Sequence, residues 1–197
     1  MKLIGITSEH AVADEATRIV EALKAGFDYF HLRKPHYADE EMRRLIDSIP
    51  AEYHHQLTLG SNQHLISEYG IGGIHIKCSC ATIKSTIPFN ARTSKSCHSI
   101  EEVAQCCDEY NYVFLSPIFD SVSKIGYSSN FTSEQLKSYS EKGLLKHVVA
   151  LGGVTADNLQ TLMQYNLYGT AILGYLFSEM SITEYKERLH NIISIIK

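Results

Sequence analysis

The stretch from His147 to Gly174, HVVALGGVTADNLQTLMQYNLYGTAILG, decides the fold. A short apolar run, His147–Leu151, leads into Gly152 and Gly153, and Thr155, Ala156 and Asp157 then open an amphipathic helix. A second apolar run, Thr170–Leu173, ends in Gly174. This order reads as strand, glycine turn, helix, strand and glycine. Glycines let backbone N–H groups come close to a ligand, and the exposed N–H groups of a helix start favour negative charge. The segment is therefore a candidate anion seat.

Working towards the N-terminus, the same rhythm repeats. Strand signals fall at Leu3–Thr7, Tyr29–Arg33, Gln56–Gly60, Gly73–Lys77, Thr93–Cys97 and Tyr112–Ser116. The fifth, TSKSC, is a poor strand by composition and is assigned from the rhythm alone. Between them lie helical patterns over Ala13–Ala25 (stopped by Gly26), over a segment carrying Met42, Leu45 and Ile46 with Asp39 as its cap, and around Leu65 and Ile66. Further helices are expected at Ile100–Cys107, Thr132–Ser140 and Ile182–Ile196. The connection from Cys78 to Asn90 lacks a helical period, and Asp120–Phe131 is a long polar loop.

Eight strands alternating with helices predict an α/β chain with a parallel sheet and helices outside, closed as a compact (β/α)₈ TIM barrel. All 197 residues are expected in one domain with an ample core. In such a barrel the loops after the seventh and eighth strands hold phosphate, which is where the two glycine corners fall.

Bulk properties remove other classes. Apolar residues make up 44% and charged residues 20%, with a net charge of −4, values that exclude wholesale disorder. No Lys/Arg block exists, so no nucleic-acid partner is expected. No window is apolar enough for a transmembrane helix, and Met1-Lys2 runs directly into a strand without a signal peptide, so the expected location is cytoplasmic. The five cysteines lack zinc-ligand spacing and are expected as buried free thiols. No GxGxxG or GxxxxGK[ST] motif is present. A homodimer through outer helices is compatible with the sequence, with Tyr165–Tyr168 or the closing helix as candidate faces.

Chemistry in a parallel barrel sits at the C-terminal ends of the strands. There, two-residue alternation puts His31 and Arg33 on one face of the second strand, and the planar guanidinium suits phosphate or carboxylate. The competing reading of Arg33 is an ion pair with a neighbouring carboxylate. Ser94, Ser96 and His98 form a second alternating set, and His98 lies where strand becomes helix, with an unperturbed pKa near neutrality suited to acid/base work. Ser121, Ser123 and Lys124 could wrap an anion from the polar loop, although such composition also describes an ordinary solvated loop. His75 reads as a satisfied core or rim histidine, and His36, His54, His55 and His64 as surface or rim residues.

With these residues in view, the chain resembles the thiamine-phosphate synthase/thiazole tautomerase family along nearly its whole length. Leu32–Lys34 resembles the family's Q/H-x-R-E-K region, GIHIK (Gly73–Lys77) its G-[VI]-H-[LV] strand, and SCHS (Ser96–Ser99) its S-x-H-[ST] motif. SPIFDSVSK (Ser116–Lys124) resembles G-P-[IV]-[FY]-x-T-x-T-K, and ALGGVTADN (Ala150–Asn158) resembles A-[IL]-G-G-[IV]-T-x-[DE]-N.

The resemblance implies two activities. The synthase joins a pyrimidine diphosphate to a thiazole phosphate with magnesium and releases pyrophosphate. Arg33, Lys124, Ser121 and Ser123 would then hold the diphosphate, and Gly152-Gly153 with the Leu173-Gly174 backbone the thiazole phosphate. The family's synthases carry N-D after the third strand and a further Asp after the G-x-H strand, where this chain has Gly60-Ser61 and Cys80. His31 and Pro35 stand where the family's Gln and Lys would be. A hard Mg²⁺ wants carboxylate oxygens, which these residues do not supply. The tautomerase branch moves a double bond within a thiazole carboxylate phosphate without metal or other cofactor, using the S-x-H histidine, here His98. The expected activity is therefore metal-independent isomerisation of a small thiazole phosphate, with Mg-dependent synthase as the alternative. A non-catalytic phosphate-ligand binding protein is the third reading.

Overall fold

The structure is a computed structural model that describes residues 1–76, 90–120, 131–178 and 180–196. Eight strands close into one all-parallel barrel in sequential order: β1 (Lys2–Ile6), β2 (Tyr29–Leu32), β3 (Leu57–Leu59), β4 (Gly73–Ile76), β5 (Arg92–Cys97), β6 (Tyr112–Leu115), β7 (Val148–Ala150) and β8 (Gly169–Ile172). Around them run α1 (Glu15–Ala25), α2 (Asp39–Asp47), α3 (Leu65–Tyr69), α4 (Ile100–Cys106), α5 (Ser133–Glu141), α6 (Ala156–Leu162), α7 (Gly174–Phe177) and α8 (Ile182–Ile196). The expected (β/α)₈ barrel is what the chain forms. No helix among the described residues is long and apolar enough to cross a membrane.

Helix boundaries follow local chemistry. Gly26 takes φ 120° and sends its N–H to Ala22 and Leu23 carbonyls, stopping α1 as its position in the sequence indicates. Thr132 caps α5 by accepting the Gln135 N–H while the Gln135 side chain accepts from Thr132 N–H. One cap differs from expectation: Ala38, not Asp39, precedes α2, because Glu41 reaches back to the Ala38 N–H. Asp39 instead accepts hydrogen bonds from Asn62 and His64.

Pleat alternation sorts the strands into two cores. Outward-facing residues such as Leu3, Phe30, Leu57, Leu59, Val113, Val148 and Ile172 pack under the helices. Inside the barrel, Ile4, Ile6, Tyr112, Phe114, Val149 and Ala171 form a second cluster. Tyr29, Tyr112 and Tyr168 stack near-parallel across the N-terminal mouth, at 6.3 and 5.3 Å, with the Arg92 guanidinium 4.0 Å from the Tyr29 ring. Tyr168 is thus engaged in this plug, and Tyr165 is buried. His54 is also buried, contrary to expectation, with its ring nitrogens 3.0 and 2.9 Å from the Tyr69 and Ile49 carbonyls.

His31 belongs to the barrel interior. Its Nε2 lies 2.7 Å from the Tyr112 hydroxyl, and its ring packs against His75, Tyr112 and Phe114. Burial first, then the positive potential of His75 and Arg92, holds its pKa well below 6.5. The sign of the linkage follows directly. Below 6.5 the unfolded chain binds a proton that the folded chain refuses, so this stability is present above 6.5 and is lost as pH falls towards the folded value. Each pH unit across that window costs about 1.4 kcal/mol. Denaturant melts at stepped pH should show this slope, and His31→Gln, which keeps a partner for Tyr112, should flatten it. An identical slope in the variant would remove His31 as its source.

Candidate active site

Because every strand is parallel, Arg33, Ser61, His98, Ser116, Gly153 and Gly174 all follow C-terminal strand ends and meet at one mouth. The early arginine and the late glycine corners therefore share an end of the barrel.

His98 follows β5 directly and is exposed. Its backbone N–H donates to Glu102 Oε2 at 2.7 Å and Ser99 Oγ accepts the Glu102 N–H, so the first turn of α4 fixes the residue. Nδ1 donates to the Ser116 carbonyl at 3.2 Å. A carbonyl only accepts, so the neutral ring carries its proton on Nδ1 and keeps a lone pair on Nε2. Ser116 lies at the head of the next loop, so β5 and β6 together orient the imidazole. The adjacent Cys97 is unreactive by contrast. Its Sγ lies 3.4 Å from Cys106 Sγ, and burial, reinforced by that neighbour, pushes its thiol up to about 12.

The β7 corner is built against the β6 corner. Ile118 and Phe119 donate their N–H groups to Leu151 and Gly152 carbonyls at 2.9 and 3.1 Å. Gly152 and Gly153 have φ of 96° and 66°, and the space a side chain would need is filled by Pro117 at the first and by Phe119 and Asp120 at the second. Asn158 donates to the Gly153 carbonyl at 2.7 Å and accepts the Thr155 N–H, tying the corner to α6. After β8, Leu173 accepts the Leu176 N–H and Gly174 opens α7.

Two residues at the end of β2, His31 within the strand and Arg33 just past it, depart from expectation. His31, grouped with Arg33 by alternation, lies inside the barrel and does not reach the mouth as an anion ligand, because the strand ends at Leu32 and its ring is spent on Tyr112. Arg33 does lie at the mouth, but its Nη1 is 2.9 Å from Glu9 Oε2. The ion-pair reading of Arg33 is the one the geometry adopts. Beside it Lys34 is buried, donating to Glu15 at 2.8 Å and to the His10 carbonyl at 2.6 Å. Desolvation raises the Glu15 pKa in spite of this partner, so the pair tethers the β1–α1 segment at an electrostatic cost. Nothing in the local sequence signalled this pair, since Glu15 looks like an ordinary first-turn acid of α1.

Ser96 has a contact that the sequence did not announce. Its hydroxyl lies 3.2 Å from His75 Nε2, and His75 Nδ1 lies 3.0 Å from Ser94 Oγ. The register pairing of His75 with Ser94 was the missing signal. Ser121, Ser123, Lys124 and Cys80 lie outside the described residues. Where the family's synthases carry N-D, Gly60 has no carboxylate and the Ser61 hydroxyl donates to the Lys34 carbonyl at 2.8 Å. These residues do not fit a divalent magnesium site. Among the described residues no cluster of three His, Cys, Asp or Glu side chains is placed to hold a metal.

A parallel eight-stranded barrel with glycine corners after β7 and β8 and an oriented histidine after β5 defines a TIM-barrel protein with an imidazole held at its mouth. Comparison with known proteins refines this. The family described as thiamine monophosphate synthase matches residues 3–176. The chain is 25% identical to the thiamine-phosphate synthase of Pediococcus pentosaceus, over 94% of this chain and 89% of that protein. It is 26% identical to that of Lysinibacillus sphaericus, over 83% and 81%. The thiamine phosphate pyrophosphorylase structure from Bacteroides thetaiotaomicron superposes with a TM-score of 0.85 at 28% identity, covering 100% of this chain and 98% of that one. The protein belongs to the thiamine monophosphate synthase family of thiamine-biosynthesis enzymes.

Proposed function

We propose that this family member relocates a proton on a bound thiazole phosphate without a metal ion. The thiazole phosphate would sit against the Gly152-Gly153 and Leu173-Gly174 corners, with Ser96 beside the ring and His98 Nε2 exchanging the proton. The observation that carries the reading is the Ser116 carbonyl on His98 Nδ1, which leaves Nε2 as the ring's basic atom at the mouth. Anchoring by phosphate and a positioned proton-exchanging group are what such a shift needs. Gly60 and Ser61 in place of carboxylates weigh against a magnesium-dependent condensation.

The second reading is the synthase, favoured by the names of the relatives and by the SPIFDSVSK stretch. In it, Ser121, Ser123, Lys124 and an Arg33 released from Glu9 would hold a pyrimidine diphosphate. One pair of assays separates the readings. Isomerisation of a thiazole carboxylate phosphate is expected with EDTA present, at a rate unchanged by Mg²⁺. Fast Mg²⁺-dependent release of pyrophosphate from the two synthase substrates, with no isomerisation, would overturn the proposal.

A further inference from the structure

A double-bond shift removes a proton at one atom and adds one at another, yet His98 is a single group. The barrel interior supplies a second. His75 projects from β4 between Ser94 and Ser96 of β5, with Nδ1 3.0 Å from Ser94 Oγ and Nε2 3.2 Å from Ser96 Oγ. The Ser94 hydroxyl has its own acceptor in the Ile74 carbonyl at 3.4 Å, which leaves its oxygen to accept from Nδ1–H. The Ser96 O–H then points at Nε2, and its oxygen lone pairs are left for the mouth. Hydroxyl, imidazole and orienting hydroxyl follow one another in the order that activates an oxygen as a base. Ser96 is part-exposed, two residues before His98 at the C-terminal end of β5, whereas Ser94 is buried.

We propose that Ser96 and His75 form a second proton station, with Ser96 touching the substrate and His75 acting through it as a positioning residue. The inference rests on the isomerase reading given above. In this assignment Ser96 Oγ takes the proton leaving the first carbon while its own proton passes to His75 Nε2. The electron pair of the broken C–H bond moves into the new double bond, and the old one takes a proton at its far carbon from Nε2–H of a His98 that enters the step as imidazolium. His75 finishes as imidazolium and His98 as neutral imidazole, and solvent restores both. Neighbouring His31, 5.7 Å away ring to ring, is held neutral by burial and adds no opposing charge when His75 is protonated.

The test uses His75→Gln, whose amide can still accept from Ser96 and donate to Ser94 but cannot store a proton. Its kcat is expected to fall about 10²-fold, the lower end for a lost acid/base group, with KM within about twofold. Ser96→Ala, which cuts the relay at the mouth and leaves the interior packed, should lose a similar factor, and melting curves establish that each variant is folded. Substrate deuterated at the departing position should give product free of that deuterium with the wild-type protein. Deuterium carried into product, or a His75→Gln kcat within about threefold of wild type, overturns the second station while isomerisation itself stands. A wild-type protein that isomerises nothing overturns the function on which the station depends, a different result from either.

Discussion

His98→Asn is expected to slow isomerisation about 10³-fold, within the range for loss of a positioned acid/base group, while thiazole phosphate binds with affinity close to wild type. Asparagine is the informative replacement because its amide can still donate to the Ser116 carbonyl, which His98 Nδ1 now meets at 3.2 Å. The β5 and β6 ends therefore stay joined, and the Glu102 cap on the residue 98 N–H is a backbone contact that the substitution leaves in place. Only the proton-exchanging Nε2 is lost. Calorimetric binding alongside proton exchange, followed by NMR in D₂O, separates the outcomes. Unchanged exchange in the variant removes His98 from the chemistry. Exchange absent from both proteins, with binding retained, makes the chain a phosphate-ligand binding protein that keeps the barrel alone.

The barrel was legible because its signal is repetitive. Each strand contributes an apolar outward face, such as Leu57 and Leu59 or Val113 and Leu115, and the glycine punctuation of His147–Gly174 survives any one ambiguous element. β5 is the instructive exception. TSKSC looks like a poor strand because its inward residues are Ser94 and Ser96, which bond to His75 instead of filling the core. The polarity that obscured the element marks part of the candidate site. Depth was not legible. Alternation puts His31 on the inward face, but only closure of the barrel decides that it meets Tyr112 in the interior instead of a ligand. Partners from other elements were equally hidden, since neither Glu9 against Arg33 nor Glu15 against Lys34 is separated by a spacing that a local pattern predicts.

Gly153→Ala should lower the melting temperature by about 10 °C and weaken thiazole phosphate binding at least about tenfold. Two effects add. The residue has φ 66°, where an L side chain costs roughly 1–2 kcal/mol. A Cβ there would also lie 2.4 Å from the Asp120 carbonyl oxygen and 2.8 Å from Phe119 Cβ, so the β6 corner must move aside, at roughly 1–3 kcal/mol for such overpacking. In a chain of this size each kcal/mol lowers the melting temperature by about 2–4 °C. Gly143→Ala isolates the first effect. Gly143 has φ 73°, but a Cβ there meets only the Lys146 side chain, at 3.5 Å or beyond. It lies in the turn after α5, away from the C-terminal strand ends, so its variant should melt only a few degrees lower and bind normally. The difference between the two alanines then measures the contact of the β7 corner with Phe119 and Asp120. Should Gly153→Ala melt like Gly143→Ala and hold thiazole phosphate like wild type, the β7 corner is not where the phosphate sits, and the ligand must be sought on the Leu173-Gly174 side of the mouth.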